Sequence, residues 1–471
     1  MNTPIYNAAM KYSCSDPVPF HMPGHKLGAG LPGGFASNMP LLDLTEIPGT
    51  DNLHNASGII LKAQELAAQA FGADETFFLV NGSTCGIHAA IATVCSPGDK
   101  LIVSRDCHKS VLNAMILFGV RPVYIKPEFD RLCGISAAML PGNVKEALRL
   151  HPDAAGVLIT RPNYYGVCSD IEAIANIVHS YGRILAVDEA HGAHLAFAPC
   201  LPVCAMEAGA DICVQSAHKT LPAITQGAYL HVKGDRIDRD RLRFNLALLQ
   251  TSSPSYVIMS SLDVAREIMH TGAPFLMEGV VDRVSRLHCL IKGLEGMSFI
   301  TEDMLEYGKK DPTRIVINMR GLGKTGFDAG EILRCSYNIQ VEMADFYNIV
   351  CIATAADRWE YYERLYCALK DMNYKFKDLP ALADTNITEI IIPPQKMEPA
   401  EVMRKKTVRA ALHEAAGKVC ACAVTPYPPG VPVICPGEVF VKEAVEYIYN
   451  IMSSGGIVNG LSEKYEVSVV E

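Results

Sequence analysis

The stretch Ile212-Cys-Val-Gln-Ser-Ala-His-Lys-Thr220 joins a short apolar run to a lysine. Its first four residues are typical of a strand that is buried on both faces, and Lys219 follows that strand directly. A lysine so close to the end of a buried strand is costly unless it has a partner or a task, because desolvation disfavours its charged form and leaves a neutral nucleophile. A solvated loop lysine is the alternative interpretation.

Other short apolar runs precede this stretch, and segments with helical periodicity separate them. The runs predict strands at Phe77–Val80, Lys100–Val103, Pro122–Ile125, Gly156–Thr160 and Ile184–Val187, and the segments predict helices such as Ile59–Phe71, Gly86–Val94 and Asp170–Tyr181. This alternation predicts an α/β fold in which helices sandwich a mostly parallel sheet.

The 471 residues exceed one ordinary domain, and changes in composition predict four parts. The Pro- and Gly-rich residues 1–45 predict an N-terminal arm with little regular structure. Residues 46–290 form the expected large domain, and a smaller α/β domain follows at 291–390. Residues 391–471 predict a C-terminal segment of helices and extended chain, with helices at about 400–416 and 439–452. One long helical stretch is expected from about 256 to 294.

The bulk composition narrows the class of protein. A formal net charge of −9 argues against nucleic acid as a partner, because phosphates bind clustered Lys and Arg, and it suits a small cationic substrate. The 16 cysteines are scattered and lack the paired CxxC spacing of zinc sites, so no metal is expected. The N-terminus has no signal-peptide pattern, and no apolar run reaches membrane length, which predicts a cytoplasmic protein with no membrane partner.

Ligands of parallel α/β sheets bind at the carboxyl ends of strands, so the residues that follow each apolar run are candidates for a site. Ser83 and Thr84 open a helix after the first run, where hydroxyls and free N–H groups could bind a phosphate. Asp188 follows another run, and a carboxylate there can keep the pyridinium nitrogen of pyridoxal 5'-phosphate protonated. Alternatively, these residues are ordinary helix and turn caps, or Asp188 and the two histidines after it bind a metal.

Four further side chains could contact the same cofactor. Ser216 and His218, on either side of Ala217 before Lys219, could reach its phosphate. His108 could lie flat on an aromatic ring, although an isolated histidine is more often structural. Asn163, at a fifth strand end, could hydrogen-bond the phenolic oxygen of the cofactor.

Seven stretches, taken in order, resemble the Orn/Lys/Arg decarboxylase family of fold-type-I pyridoxal-phosphate enzymes, in the short form found in Gram-positive bacteria. They cover nearly the whole chain and are Phe20-His-Met-Pro-Gly-His-Lys26, Gly49-Thr-Asp-Asn-Leu53, Asn81-Gly-Ser-Thr84, Arg105-Asp-Cys-His-Lys-Ser110, Asp188-Glu-Ala-His-Gly-Ala-His194, Ser216-Ala-His-Lys219, and Tyr427-Pro-Pro-Gly-Val-Pro432 followed by Pro436-Gly-Glu438.

The resemblance implies roles for the candidate residues. Lys219 would carry the cofactor as a Schiff base, Asp188 would hold the ring nitrogen, and His108 would stack on the ring, which makes these three the catalytic candidates. The resemblance implies that Ser83, Thr84 and Ser216 hold the phosphate. It also implies that His218 lies beside the lysine and that His191 lies near the ring.

The implied activity is removal of the carboxylate from a basic amino acid. Conversion of arginine to agmatine and CO₂, a step of polyamine biosynthesis, is the first expectation, and lysine or ornithine is the alternative substrate. The resemblance also implies a homodimer or a higher homo-oligomer with active sites at the subunit interface. Glu438, Asp51 and His54 are candidates for substrate selection, or they are structural.

Two other functions stay open. Another fold-type-I activity, an aminotransferase or a lyase, is the rival among enzymes. An aminotransferase usually clamps the substrate carboxylate with an arginine, for which Arg404 and Arg409 are candidates on an expected solvent-facing helix. The alternative outside the enzymes is a non-catalytic regulator that binds pyridoxal phosphate. This interpretation would require a DNA-binding appendage or the absence of the lysine.

Overall fold

Seven strands form the central sheet of the computed structural model, which describes residues 2–383, 390–427 and 430–471. In chain order the strands are β1 (Glu75–Leu79), β2 (Lys100–Ser104), β3 (Arg121–Ile125), β4 (Gly156–Thr160), β5 (Ile184–Asp188), β6 (Ile212–Gln215) and β7 (Ala228–Val232). Across the sheet they are ordered β1-β7-β6-β5-β4-β2-β3. Strand β7 is antiparallel to both of its neighbours, whereas β2 to β6 pair in parallel. The predicted mostly parallel sheet is confirmed.

Helices cover both faces of the sheet because successive strand residues point to opposite sides. In β6, Ile212 and Val214 belong to one core cluster and Cys213 belongs to the other. The covering helices are Ile59–Phe71, Gly82–Val94, Lys109–Phe118, Pro141–Leu150, Ile171–Ser180, Arg239–Leu249 and Tyr256–Gly272. The predicted sandwich of helices around the sheet is therefore confirmed, and the helix at Ile59–Phe71 has the predicted bounds.

The long helical stretch expected from about 256 to 294 is two helices. They are Tyr256–Gly272 and Phe275–Ile291, and they are separated at Ala273 and Pro274. Proline has no backbone N–H and its ring clashes with the preceding turn, so a helix is interrupted there.

The N-terminal residues contain more regular structure than the sequence predicted. Helices span Pro4–Ser13 and Phe35–Leu42, and a 3₁₀ turn spans Leu53–Asn55. The short strand Val18–Phe20 pairs in parallel with Ile339–Val341. The expectation of little regular structure in residues 1–45 is wrong because Pro and Gly here interrupt the elements without abolishing them.

A second sheet of four antiparallel strands follows the long helices. Its order is Ser298–Phe299, Arg314–Asn318, Asn348–Ile352 and Met343–Ala344. The helices Gly326–Tyr337 and Trp359–Phe376 accompany it. A two-stranded ladder of Lys309–Lys310 with Val167–Cys168 joins this region to the loop after β4.

The C-terminal residues form a small core of their own that includes Leu412, Ile434 and Phe440. The predicted helix at about 400–416 is wrong: a single turn spans Pro399–Val402, and a strand follows at Thr407–Ala411. That strand pairs with Glu466–Val470, so its backbone groups are satisfied by a sheet ladder and not by a helix. The predicted last helix is confirmed at Lys442–Ser453.

The remaining elements are short. They are the strands Phe129–Asp130, Ile135–Ser136, Thr425–Tyr427 and Ile457–Asn459, the 3₁₀ turns Leu195–Phe197, Glu302–Met304, Arg320–Leu322 and Leu412–Glu414, and the helical turn Ala217–Thr220. Residues 428 and 429, within the motif that begins at Tyr427, lie outside the described residues. Among the described helices, none combines the length and the apolar character needed to cross a bilayer.

Candidate active site

Lys219 lies on the helical turn directly after β6, at the carboxyl edge of the sheet. Its Nζ is 3.1 Å from Nε2 of His191. Burial lowers the pKa of Lys219 to about 8, although the negative charges of Asp188 and Glu342 oppose that shift. The neutral, nucleophilic form of this amine is therefore far more populated near physiological pH than that of an ordinary lysine.

Asp188 is the last residue of β5, the strand next to β6. Its side chain is buried, and the Ala190 N–H donates to its Oδ1 at 3.2 Å. Burial raises the pKa of Asp188, and the positive charge of Lys219 opposes the shift. A carboxylate in this position has spare acceptor capacity toward the site.

His191 is buried between two basic side chains. Its Nε2 faces Lys219 Nζ, and its Nδ1 is 3.1 Å from Nη2 of Arg314. Arginine can only donate, so Nδ1 is the acceptor and Nε2 carries the proton. The Nε2–H group then donates to Lys219, which must accept with its lone pair. Burial, reinforced by the charges of Lys219 and Arg314, holds the pKa of His191 well below its usual value. The contact with Arg314 therefore fixes a neutral imidazole whose Nε2–H favours the neutral form of Lys219, in line with the lowered pKa of that amine.

Two serine hydroxyls meet at the start of the helix Gly82–Val94. Ser216 Oγ donates to Ser83 Oγ at 2.7 Å, which joins the end of β6 to this helix. The preceding Asn81 does not cap the helix with its side chain, which instead accepts from the Thr251 N–H. The first-turn N–H groups are thus available to an anion. Thr84 is exposed on the same turn.

His108 caps the helix Lys109–Phe118. Its Nδ1 accepts from the Ser110 N–H at 3.2 Å and lies 2.9 Å from the Ser110 hydroxyl. Burial, together with the charges of Lys219 and Lys109, lowers the pKa of His108 to about 3. The ring is therefore neutral and fixed by its cap, and the influence of Lys219 on its pKa reflects its proximity to the site.

His218 and Asn163 are both held by backbone groups. His218 Nδ1 donates to the Gly227 carbonyl at 3.0 Å, and burial lowers the pKa of His218 to about 4. The Asn163 amide donates to the Ser136 carbonyl at 2.8 Å, and its oxygen accepts from two N–H groups, those of Tyr165 and Val167. The side chain of Asn163 stabilises a loop, and this geometry does not support the predicted bond to a cofactor oxygen.

Three side chains near Lys219 were not predicted from the sequence. Arg314 is 2% exposed at the start of a strand in the second sheet and contacts His191. The Tyr164 ring packs against His191 with centroids 4.9 Å apart. Glu342 accepts from the Met22 N–H at 2.9 Å, and its charge affects the pKa of Lys219. A polar residue at the start of an apolar strand is common in proteins of any function. The sequence therefore carried no indication that Arg314 belongs to the site.

The candidates for substrate selection turn out to have structural partners. Glu438 is fully buried, and its Oε2 accepts from Arg105 Nη2 at 3.0 Å. Asp51 accepts from the N–H groups of Gly58 and Ile60 at the start of the helix Ile59–Phe71. His54 lies within 2.9 Å of the Thr251 carbonyl.

The two arginines that were proposed to bind the substrate carboxylate are not buried. Arg404 and Arg409 are both exposed, and Arg409 belongs to the strand Thr407–Ala411. Arg314 is the buried arginine that contacts His191, and it is the better candidate for binding a carboxylate.

Residues 3–306 match the major domain of the Orn/Lys/Arg decarboxylases, and residues 381–464 match their C-terminal domain. An arginine decarboxylase of Bacillus subtilis is 38% identical over 470 residues, which cover 97% of this chain and 95% of that protein. A second arginine decarboxylase, from Bacillus anthracis, is 37% identical over 468 residues, covering 97% of this chain and 94% of that protein.

A solved structure shares the fold. Lysine decarboxylase A from Pseudomonas aeruginosa superimposes with a TM-score of 0.80 at 22% identity, over 99% of this chain and 80% of that chain. At this identity the likeness concerns the fold alone. The sequence matches are closer and extend over nearly the full length, and on them the chain belongs to the Orn/Lys/Arg decarboxylase family.

Proposed function

We propose that this protein removes the α-carboxylate of arginine and releases agmatine and CO₂, with pyridoxal 5'-phosphate as its cofactor. Two relatives that are 38% and 37% identical over nearly the whole chain are named arginine decarboxylases, which supports arginine over lysine and ornithine. The observation that carries the chemistry is the half-buried amine of Lys219, whose pKa is lowered to about 8 and whose Nζ lies 3.1 Å from His191 Nε2, near the buried carboxylate of Asp188.

The residues present fit this cofactor. Lys219 is a half-buried amine with a lowered pKa, which suits covalent attachment to an aldehyde. Asp188 is a buried carboxylate that suits a protonated ring nitrogen. Ser83 and Ser216, at an uncapped helix start, suit a phosphate. When bound, the cofactor supplies an electron sink for the negative charge that loss of CO₂ leaves on Cα.

The chain's own residues would then bind and orient the substrate and move a proton. Asp188 would keep the heterocycle cationic, and His108 would lie against its face. His191 Nε2–H, 3.1 Å from Lys219 Nζ, would donate to the lysine nitrogen and fix its position. Arg314 holds His191 in the required tautomer and adds a buried positive charge that suits a carboxylate.

An aminotransferase is the second candidate, because a buried arginine from the second sheet is what such an enzyme would use to hold a carboxylate. A product assay separates the two functions. The purified protein, supplied with the cofactor, is incubated with arginine, lysine or ornithine, and CO₂ and the amine are quantified. We expect agmatine and CO₂ in equal amounts from arginine without an added keto acid, and no turnover by Lys219→Ala. Dependence on a keto acid, with no CO₂, would favour the aminotransferase.

We propose further that the protein is a homodimer or a higher homo-oligomer. Large apolar side chains are exposed on the first two helices, among them Ile5 and Tyr6 on Pro4–Ser13, at 87% and 65%, and Leu41 on Phe35–Leu42, at 72%. No residue of the helix Pro4–Ser13 is buried within the chain. Exposed apolar surface of this kind is typical of an interface. Light scattering on the purified protein should give at least twice the 51.2 kDa of one chain, and a monomer would contradict the proposal.

A further inference from the structure

A cavity of about 160 Å³ lies where three parts of the chain meet. The large domain contributes Asp106, Ser136 and Tyr164 to its wall, the region of the second sheet contributes Asp345, and the C-terminal residues contribute Val433. Pockets for drug-sized ligands measure about 300–1,000 Å³. The size of this cavity therefore suits a short chain or a small group.

Two carboxylates line the cavity, those of Asp106 and Asp345. Asp106 is only 7% exposed, and its carboxylate accepts from the hydroxyls of Ser104 and Ser136. Asp345 accepts from Tyr165 Oη at 2.7 Å and from the Asn348 N–H at 2.7 Å. The described residues of the cavity wall include no lysine, arginine or histidine. Burial raises the pKa of both carboxyl groups, which reflects the cost of an unneutralised charge there.

Aromatic side chains form much of the remaining wall. Tyr164, Tyr165, Phe129, Phe346 and Tyr447 all line the cavity. Aromatic faces attract cations, and their apolar surface also accepts methylene groups. Buried carboxylates combined with aromatic rings are the chemistry that recognises an alkyl chain with a positive end.

The cavity shares a wall with the site around Lys219. The ring of Tyr164 lines the cavity and also packs against His191, which contacts Lys219. Gly430 lies beside both features: a Cβ atom there would be 3.9 Å from His108 Cδ2 and 3.9 Å from Tyr164 Oη. The residues that follow Gly430 line the cavity.

We propose that this cavity binds an alkyl chain that ends in a guanidinium or ammonium group, and that Asp106 supplies the charge that selects it. The proposal deepens the proposed function, on which it rests, because the side chain of a basic amino acid has this chemistry. A free amine of the same chemistry, such as the reaction product, is the other source.

The test uses n-propylguanidinium, which has the cationic end but no primary amine to react with the cofactor. Its binding to the cofactor-loaded protein is measured by titration calorimetry for the wild type, Asp106→Asn and Asp235→Asn. Asparagine has nearly the same shape as aspartate. The substitution removes a buried negative charge that has no positive partner in the described cavity wall, so the midpoint temperature of unfolding of Asp106→Asn should not fall. We expect its dissociation constant to rise at least about ten-fold, as loss of a charged hydrogen bond requires. The control, Asp235→Asn, changes a fully exposed carboxylate and should bind as the wild type does.

The pattern of inhibition then distinguishes the two sources. Competition between n-propylguanidinium and arginine supports binding of the substrate side chain, whereas non-competitive inhibition supports binding of a free amine. The proposal is overturned if n-propylguanidinium binds the wild type and Asp106→Asn with equal affinity. It is also overturned if n-propylguanidinium does not bind a wild type that retains its cofactor absorbance. Binding that depends on Asp106 in a protein that forms no CO₂ from arginine would refute the proposed function while supporting the cavity.

Discussion

Replacing Glu438 with glutamine should loosen the C-terminal residues from the large domain. Glu438 Oε2 accepts from Arg105 Nη2 at 3.0 Å and from the Cys435 N–H at 2.7 Å, and both members of the ion pair are buried. In the variant, the buried guanidinium keeps its bonds to the carbonyl oxygens of Pro432 and Val433 but loses its only negatively charged hydrogen-bond partner among the described residues. Removing one partner of a buried ion pair costs about 3–5 kcal/mol. Glutamine retains the shape and one acceptor, so we expect a loss near 3 kcal/mol.

Urea unfolding followed by circular dichroism measures this loss. The matched control is Glu146→Gln, in the exposed pair with Arg149, which should leave the midpoint unchanged because water screens that pair. The double variant Arg105→Met with Glu438→Leu should recover stability, since apolar side chains can replace a buried pair. If Glu438→Gln unfolds at the same urea concentration as Glu146→Gln, the buried pair does not hold the two parts together.

Three further predictions concern the site itself. Lys219 is neutral above its lowered pKa of about 8. The rate at which the cofactor-free protein takes up pyridoxal 5'-phosphate, followed by stopped-flow absorbance, should therefore rise with pH and show an inflection near pH 8. A rate that still increases beyond pH 10 would contradict this prediction. Arg314→Met should lower kcat/KM for arginine about ten- to a hundred-fold, whereas Arg334→Met, an exposed control, should have no effect on steady-state kinetics. Asn163→Ala should lower the free energy of unfolding by about 1–3 kcal/mol without weakening cofactor binding by equilibrium titration; weaker cofactor binding at unchanged stability would restore its predicted role.

Strands that are buried on both faces could be predicted closely from the sequence. Residues 156–160 and 212–215 are continuous apolar runs with polar residues at their ends, and the predicted bounds agree with β4 and β6. Strand β7 was not predicted because the polar His231 interrupts its apolar run; in the structure this side chain is buried and bonds to Thr76 and Gln215. The helix predicted at about 400–416 failed for a different reason, since helical spacing of a few apolar residues does not exclude pairing with the strand Glu466–Val470.

Site residues that directly follow buried strands could also be predicted from the sequence. Asp188 and Lys219 each follow a parallel strand, and the carboxyl ends of such strands meet at one edge of a sheet. Arg314 reaches His191 across 123 positions of the chain, from a strand in another sheet. That contact depends on how the two sheets pack, which apolar spacing does not encode. Tyr164 directly follows the candidate Asn163 in the chain, but its packing against His191 required the three-dimensional structure.

Lys219 is the amine that we propose holds the cofactor. Borohydride reduction of the cofactor-loaded protein, followed by proteolysis and mass spectrometry, identifies the lysine that is attached to it. We predict that the added mass is found on the peptide that contains Lys219, and that Lys219→Ala shows no labelled peptide. This assignment of Lys219 would be contradicted if Lys219 were unmodified in a protein that has retained its cofactor absorbance. A label on another lysine would contradict it as well.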